Sequence, residues 1–185
     1  MKLFFYMKGK ILIASPSLLT DLVFFKSIIL IVEKTNEGIT GFIINRRLDK
    51  LLMKEVETKK KIKINLYYGG PVSSENFFIL KSKKKYSELI NVYDNIYWGN
   101  DIEFLFILLE EGAIGVNDFI LLQGYSGWNL DQLNNEIYNK NWTIIEKKAD
   151  DLFSLKEKNS WNITVKSLGN KYRIWSNSPD DITLN

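Results

Sequence analysis

One serine of the sequence occupies a position where a nucleophile or a ligand-binding hydroxyl would be expected. Ser126 lies between Gly124 and Gly127, shortly after an apolar run at residues 119–122. An apolar strand that ends in glycines and leads into an amphipathic helix is typical of the turns that hold ligands or nucleophiles in α/β proteins. We therefore interpret residues 121–128 as strand, tight turn and helix, with the hydroxyl at the mouth of a sheet.

The chain lacks the base that such a serine would need. It contains no histidine and no cysteine, which excludes a Ser-His-Asp triad, a cysteine nucleophile and histidine- or thiolate-bound metals. Trp128 stands where a nucleophile elbow requires glycine, and no S-x-x-K spacing joins Ser126 to a lysine. A serine hydrolase is thus the least favoured alternative. The simpler interpretation is that Ser126 caps the helix that begins near Trp128.

Two further segments carry candidate binding groups. Asn45 and Arg46 end an apolar run at residues 39–44, where the arginine either lies along the sheet edge or clamps an anion or carboxylate. Gly69-Gly70-Pro71 follows the run at residues 65–68, and its glycines permit a close backbone approach. It is either a structural turn or one wall of a binding site.

The positions of apolar residues predict the elements that must carry these segments. Strands are expected at residues 10–14, 27–32, 39–44, 65–68, 77–80, 90–93, 96–98, 142–145 and from 116 or 118 to 123. Helices are expected at residues 48–56, 100–111, 130–137 and 161–168, with Asn100 as the N-cap of the second, and a short apolar element at residues 172–175. Residues 27–32 and 39–44 should pair as an antiparallel hairpin, as should residues 90–93 and 96–98.

Length and composition favour a single domain over residues 1–185. The chain is 45% hydrophobic and 14% aromatic, enough for one sizeable core. The order of elements predicts an α/β (α+β) fold in which helices flank a large mixed β-sheet. No apolar window approaches the length of a membrane span, so we expect no membrane association and a cytoplasmic protein.

Charge gives little support for a nucleic-acid partner. The formal net charge is +3, and the lysine runs at residues 59–63 and 81–85 lack interleaved aromatic residues. They are best interpreted as solvated loops. The aspartates are scattered without a calcium-loop pattern, so neither a metal nor another cofactor is expected.

Four motifs in order make the chain resemble the YqgE/AlgH family of bacterial proteins. They lie at residues 9–18 (GKILIASPSL), 37–46 (EGITGFIINR), 68–72 (YGGPV) and 124–128 (GYSGW), the last followed by Gln132-Leu133. The ending at residues 168–185 is similar to the Bacteroidetes branch of that family. The chain departs from the family pattern at Arg47, where proline is common, and at residues 129–132, where Gly-Pro-Gly-Gln is common.

The resemblance implies a compact α/β protein with a large mixed sheet. It also implies a role in transcriptional regulation, which is attributed to the family from a genetic effect on alginate production and comes without a DNA-reading element or a reaction. Direct DNA binding through the lysine-rich loops therefore stays open as an alternative.

Our leading hypothesis is a non-enzymatic ligand-binding or regulatory protein. The three segments should converge at the ends of neighbouring strands and form one concave site for a small anionic ligand or for a carboxylate of a protein partner. The candidate residues are Asn45, Arg46, Gly69, Gly70, Pro71, Gly124, Tyr125, Ser126, Gly127 and Trp128.

Overall fold

The fold is built around one sheet of ten strands, seen in a computed structural model that describes residues 7–18, 21–55, 61–157, 159–169 and 172. The strands are β1 Ile11–Ala14, β2 Ile28–Lys34, β3 Ile39–Ile43, β4 Arg47–Glu55, β5 Lys61–Tyr68, β6 Val72–Lys81, β7 Ile90–Tyr93, β8 Ile96–Gly99, β9 Phe119–Trp128 and β10 Trp142–Ile145.

Strand β9 connects the parts of this sheet. The main order is β10-β1-β2-β3-β9-β6-β8-β7, and the β4–β5 hairpin joins through β5. All pairings are antiparallel except that of β5 with β9, so the predicted large mixed sheet is confirmed. β9 thus contacts β3, β5 and β6, and three separate stretches of the chain meet on it.

Helices flank the sheet and cover three buried clusters. The helices are α1 Ile102–Glu110, α2 Leu130–Tyr138, α3 Ala149–Leu152 and α4 Ser160–Ser167, with 3-10 turns at Pro16–Leu18 and Phe153–Lys156. α1 packs its Leu105 and Leu108 on one cluster and α2 its Leu133 on another, while α3 and α4 cover the largest. Within the described ranges, none of the helices has the length and apolar character that crossing a bilayer requires.

Most predicted elements are confirmed. The hairpins β2–β3 and β7–β8 form as expected, and the strands near residues 10, 65, 77 and 142 and the helices near residues 102, 130 and 161 are present. Helix α1 is capped one residue later than predicted. The Asp101 carboxylate, not the Asn100 side chain, accepts a hydrogen bond from the Phe104 N–H at 3.0 Å. Helix α3 was not predicted.

The helix predicted at residues 48–56 is wrong. Residues 47–55 form β4, which pairs with β5 from Leu51 opposite Asn65 to Glu55 opposite Lys61. The apolar spacing at 48, 51 and 52 fits a helix, but the pairing with β5 satisfies the backbone and overrides that local preference. The same pairing places residues 61–63 of the lysine run in a strand, whereas its positions 59 and 60 lie outside the described residues.

The short element predicted at residues 172–175 lies outside the described residues except for residue 172. The polar tail beyond it is likewise outside them.

Two glycines set the position of β5 against β9. β5 pairs with β9 as far as Tyr68 opposite Gln123, and the chain then passes directly over the following residues of β9. An ideal Cβ on Gly69 would lie 2.2 Å from the Gly124 carbonyl oxygen, and one on Gly70, where φ is +151°, would lie 2.2 Å from the Tyr125 carbonyl carbon. Only glycine fits this approach of two backbones.

We expect Gly69→Ala to destabilise the fold by about 3 kcal/mol or more, because the methyl group meets backbone atoms that cannot rotate away. Gly115→Ala is the matched control, since its Cβ would have no neighbour nearer than 3.5 Å, and its effect should stay within about 1 kcal/mol. Urea unfolding of the two variants measures the difference. Equal midpoints would show that the crossing tolerates a side chain.

Candidate functional site

The structure brings the three predicted segments into contact. The Tyr68 N–H donates to the Arg46 carbonyl at 2.8 Å, which joins the end of β5 to the segment between β3 and β4. The Gly69 N–H donates to the Gln123 carbonyl at 2.8 Å, and the Gly69 carbonyl accepts from the Ile43 N–H at 2.9 Å. Gly69 is therefore the residue through which β3, β5 and β9 meet.

Ser126 lies inside this junction. Its side chain is 0% exposed, and its hydroxyl donates to the Gly69 carbonyl at 3.3 Å. The prediction that residues 124–128 form a turn is wrong, because β9 continues to Trp128 and Ser126 pairs with Gly41 of β3. Because it is buried and already hydrogen-bonded, this hydroxyl lacks the access to a substrate that a nucleophile needs.

The helix cap assigned to Ser126 belongs to Asn129. The Asn129 side chain accepts a hydrogen bond from the Gln132 N–H at 2.7 Å and so begins α2. The tight turn was misassigned because glycines in a strand were interpreted as turn residues. Gly124 does have a φ of +71°, but it marks an irregularity in the pairing of β9 with β6 rather than the end of the strand.

The aromatic members of the β9 motif are also part of the core. Trp128 is 4% exposed, and its indole N–H donates to Glu136 Oε2 at 3.0 Å. The Trp142 indole N–H donates to the same oxygen at 2.7 Å, so one carboxylate of α2 accepts hydrogen bonds from two tryptophans. The Tyr125 ring packs edge-on against Phe77, with 5.8 Å between ring centroids.

The remaining residues of the two glycine motifs shape the backbone. Gly127 pairs with Thr40 of β3, and Pro71 is exposed between β5 and β6. The glycine motifs therefore fix where the strands cross, and their side chains contribute little polar surface.

Arg46 differs from these residues because it is half-buried and positively charged. Its guanidinium donates to the carbonyls of Phe25 at 3.1 Å and Leu22 at 3.4 Å, and its Cζ lies 5.6 Å from the centre of the Tyr68 ring. These partners carry no formal charge. Burial lowers the pKa of Arg46, an effect that the negative charge of Asp21 partly opposes. The guanidinium is thus a cation whose charge is incompletely compensated.

Asn45 holds the backbone beside Arg46. Its side-chain oxygen accepts from the Ile28 N–H at 2.9 Å, and its amide nitrogen donates to the Lys26 carbonyl at 2.9 Å. Both polar atoms of its side-chain amide thereby bind backbone groups at or just before the start of β2. This fixes the segment from which the arginine projects.

Asn45 and Arg46 separate two clefts. The larger has a volume of about 510 Å³ and is also lined by Arg47, Asp49, Tyr67, Lys156 and Glu157. The smaller has a volume of about 190 Å³ and is also lined by Phe25, Lys26, Asn159, Trp161 and Asn162. Among the ten predicted site residues, these two are the ones that line the clefts. The other eight belong to β9 or to the segment between β5 and β6.

Charges in the larger cleft favour an anion. Three basic side chains, Arg46, Arg47 and Lys156, face two carboxylates, Asp49 and Glu157. Burial raises the pKa of Tyr67, as does the nearby Glu157, whereas Arg47 opposes the shift. The Tyr67 hydroxyl therefore stays protonated at neutral pH and is available as a donor.

Several lining residues were missed by the sequence interpretation. Lys156, Glu157, Asn159 and Asn162 come from the C-terminal helical region, more than 100 residues after Arg46. No spacing in the chain connects the two regions, and only the packing of that region on the sheet brings them together.

Two lysines of the run at residues 81–85 contact partners within the described residues. Lys81 ends β6, where it lies 3.7 Å from Asp150 and above the Phe153 ring, and Lys84 lies over Tyr86. No group of three acidic side chains that could hold a metal ion is found within the ranges that the structure describes.

Comparisons with known proteins match nearly the whole chain. The family model described as AlgH-like matches residues 11–173. A UPF0301 protein of Cytophaga hutchinsonii is 33% identical over 180 residues, which cover 96% of this chain and 98% of that protein. A UPF0301 protein of Parabacteroides distasonis is 34% identical over 185 residues, covering 96% and 91% respectively.

Solved structures show the same fold. The solution structure of the AlgH protein from Pseudomonas aeruginosa has a TM-score of 0.70 at 22% identity and covers 98% of each chain. The crystal structure of protein DIP2367 from Corynebacterium diphtheriae has a TM-score of 0.71 at 18% identity and covers 93% of this chain and 92% of that one. At these identities the similarity concerns the fold alone.

The Glu136 carboxylate should contribute to stability through its two indole partners. We expect Glu136→Ala to lower the free energy of unfolding by about 2 kcal/mol, because it leaves the Trp128 and Trp142 N–H groups without an acceptor. Tryptophan fluorescence during urea unfolding gives this value. Glu37→Ala removes the same charge from an exposed turn and should cost less than about 0.5 kcal/mol. Equal losses in both variants would contradict a role for the shared carboxylate.

Proposed function

The chain belongs to the AlgH-like family, and we propose that it is a non-enzymatic binding protein that accepts a small anionic ligand, in particular a carboxylate, beside Asn45 and Arg46. The observation that carries this proposal is the half-buried guanidinium of Arg46, which has neutral carbonyl partners and lies between two clefts. Taking a cation out of water without a counter-charge is unfavourable, and a bound anion would restore that counter-charge.

The contacts of Arg46 suit a planar carboxylate better than an anion without a planar pair of oxygens. A guanidinium has five N–H donors in a planar fork, and its two carbonyl partners leave donors available for a ligand. The Tyr68 ring and the hydrogen bonds to residues 22 and 25 restrict the orientation of the fork. An arginine held in one orientation binds a planar carboxylate with two parallel hydrogen bonds, at a lower entropic cost than a mobile side chain.

The larger cleft supplies the remaining recognition. Its volume of about 510 Å³ falls within the range of small-molecule sites. Arg47 and Lys156 add positive charge, while Asp49 and Glu157 would repel a highly charged anion and could accept hydrogen bonds from a ligand with donor groups. We propose a ligand of one or two carboxylates that also carries a hydroxyl or amine. A carboxylate displayed by a protein partner would meet the same groups.

The glycine motifs have a supporting role in this proposal. Gly69, Gly70, Pro71, Gly124, Tyr125, Ser126, Gly127 and Trp128 would hold the ends of β3, β5 and β9 in place, and Arg46 would contact the ligand. Regulation would then follow from binding, because a ligand beside Arg46 would change whether a protein partner can reach the same surface. Direct reading of DNA has no observation in its favour here.

Substitution of Arg46 tests the proposal. Wild-type protein should show thermal stabilisation and NMR chemical-shift changes around residues 45–47 and 156–157 when titrated with acetate, succinate or citrate at low ionic strength. Arg46→Gln should weaken the binding of the best of these at least about tenfold, since a hydrogen bond to a charged group contributes roughly 1.5–3 kcal/mol. Arg46→Lys should recover only part of the affinity because it lacks the fork.

Lys50→Gln is the matched control. Lys50 lies on β4, is exposed and lines neither cleft, yet its loss changes the net charge by the same amount. The affinity of the Lys50→Gln variant for the same carboxylate should stay within about twofold of the wild-type value. Equal weakening by Lys50→Gln and Arg46→Gln would mean that net charge, not this site, attracts the anions, and would overturn the proposal.

A further inference from the structure

A third cleft lies where β1 begins and β10 ends. It has a volume of about 390 Å³ and shares no lining residue with the two clefts beside Arg46. Four lysines line it: Lys8, Lys10, Lys147 and Lys148. They belong to two short segments that are nearly 140 residues apart in the chain, and no single lysine run in the sequence indicates them.

Strand pairing brings these lysines together. Ile11 opens β1 and lies opposite Ile145, which ends antiparallel β10, so the residues just before β1 and just after β10 are neighbours. Lys10 and Glu146 form an ion pair across this end. The turn that carries Lys8 is fixed by a hydrogen bond from Gly9 N–H to the Ile31 carbonyl at 2.8 Å. The lysines thus project from an ordered backbone.

Positive charge in this cleft exceeds the negative charge that lines it. Two carboxylates, Asp94 and Glu146, face the four lysines, and Glu146 is already paired with Lys10. The ammonium groups of Lys8, Lys147 and Lys148 make no ion pair or hydrogen bond with any part of the chain that the structure describes. Three cations around one cavity attract an anion with several negative charges.

Tyr93 provides a second and independent observation. It lines the same cleft, and its hydroxyl is buried without a hydrogen-bond partner in the described residues. The close approach of Gly9, whose Cβ would lie 3.0 Å from Tyr93 Cδ1, seats the turn on this ring. Burial raises the pKa of Tyr93 to about 12, with added contributions from Asp94 and Asp151, so the hydroxyl keeps its proton at neutral pH. A ligand oxygen that reaches this hydroxyl would remove the cost of a buried donor without an acceptor.

We propose that this cleft binds the phosphate chain of an oligophosphate, such as a triphosphate. Lysine binds phosphate as a point charge, without the planar fork that favours carboxylates at Arg46. Three lysines without an ion-pair partner in the described residues outnumber Asp94, the carboxylate of the cleft that is not paired with Lys10, and so favour a chain with three to four negative charges. The lining lacks a second aromatic ring that could sandwich a base, so the phosphates themselves are recognised, whether free or attached to a nucleoside.

Calorimetric titration of the wild-type protein with inorganic tripolyphosphate and with ATP, both without metal, tests the proposal. Both should bind, with affinities within about threefold of each other, and the binding should weaken with added salt because the lysines are exposed to solvent. Lys147→Gln/Lys148→Gln should weaken tripolyphosphate binding at least about tenfold. Tyr93→Phe removes only the hydroxyl and should weaken it about three- to tenfold.

Two controls separate this site from alternatives. Lys50→Gln/Lys166→Gln removes the same charge from exposed positions outside the cleft and should change the affinity less than about twofold. Arg46→Gln should bind tripolyphosphate like the wild type, because the two sites share no residue. Circular dichroism confirms that each variant is folded.

Several results would overturn the proposal. They are an absence of tripolyphosphate binding at low salt, equal weakening by the two lysine pairs, binding of ATP without tripolyphosphate, or an unchanged affinity in folded Tyr93→Phe. Weak binding of carboxylates with intact binding of tripolyphosphate would disprove only the function proposed at Arg46, and the reverse result would disprove only this one.

Discussion

The crossing of Gly69 and Gly70 over residues 124–126 is the contact on which the sheet depends. Here two backbones lie so close that a Cβ on either glycine would overlap backbone atoms. The Gly69 carbonyl also accepts hydrogen bonds from β3 and from Ser126 of β9, so this residue links the end of β5 to both strands. Because β9 joins the β1–β3 half of the sheet to β6–β8 and to the β4–β5 hairpin, this contact fixes their relative positions.

The position of Arg46 follows from the same contact. The hydrogen bond from the Tyr68 N–H to the Arg46 carbonyl ties the segment after β3 to the end of β5, immediately before the crossing. Asn45 anchors that segment to the start of β2 through the oxygen and the nitrogen of its side-chain amide. A half-buried cation is tolerated because a rigid backbone supplies two carbonyl partners. The residues that hold the strands are therefore distinct from the residue that remains available for a ligand.

Local sequence patterns predicted the strands and helices better than they predicted which residues line a cleft. Continuous apolar runs and turn residues predicted β2, β3, β7 and β8 correctly, because these hairpins pair neighbouring segments. Residues 48–56 were misassigned because their helical spacing competes with a pairing to β5 that no local pattern reports. The three site segments are in contact in the structure, but Ser126 and Trp128, which we expected to face a ligand, are buried. Glycine signals both turns and close approach, and sequence alone does not separate the two.

The lysine-rich composition is similarly uninformative about sites. The number of lysines does not tell which ammonium groups lack a carboxylate partner in the folded protein. Lys10 pairs with Glu146, and Lys81 pairs with Asp150 and covers Phe153, so both are compensated by partners distant in sequence. Lys8, Lys147 and Lys148 lie at one end of the β1–β10 pair, just before β1 and just after β10, and have no such partner in the described residues. A net charge of only +3 is therefore compatible with a strongly positive cleft. What concentrates the charge is the antiparallel pairing of β1 with β10, which depends on the apolar residues of these strands rather than on the lysines themselves.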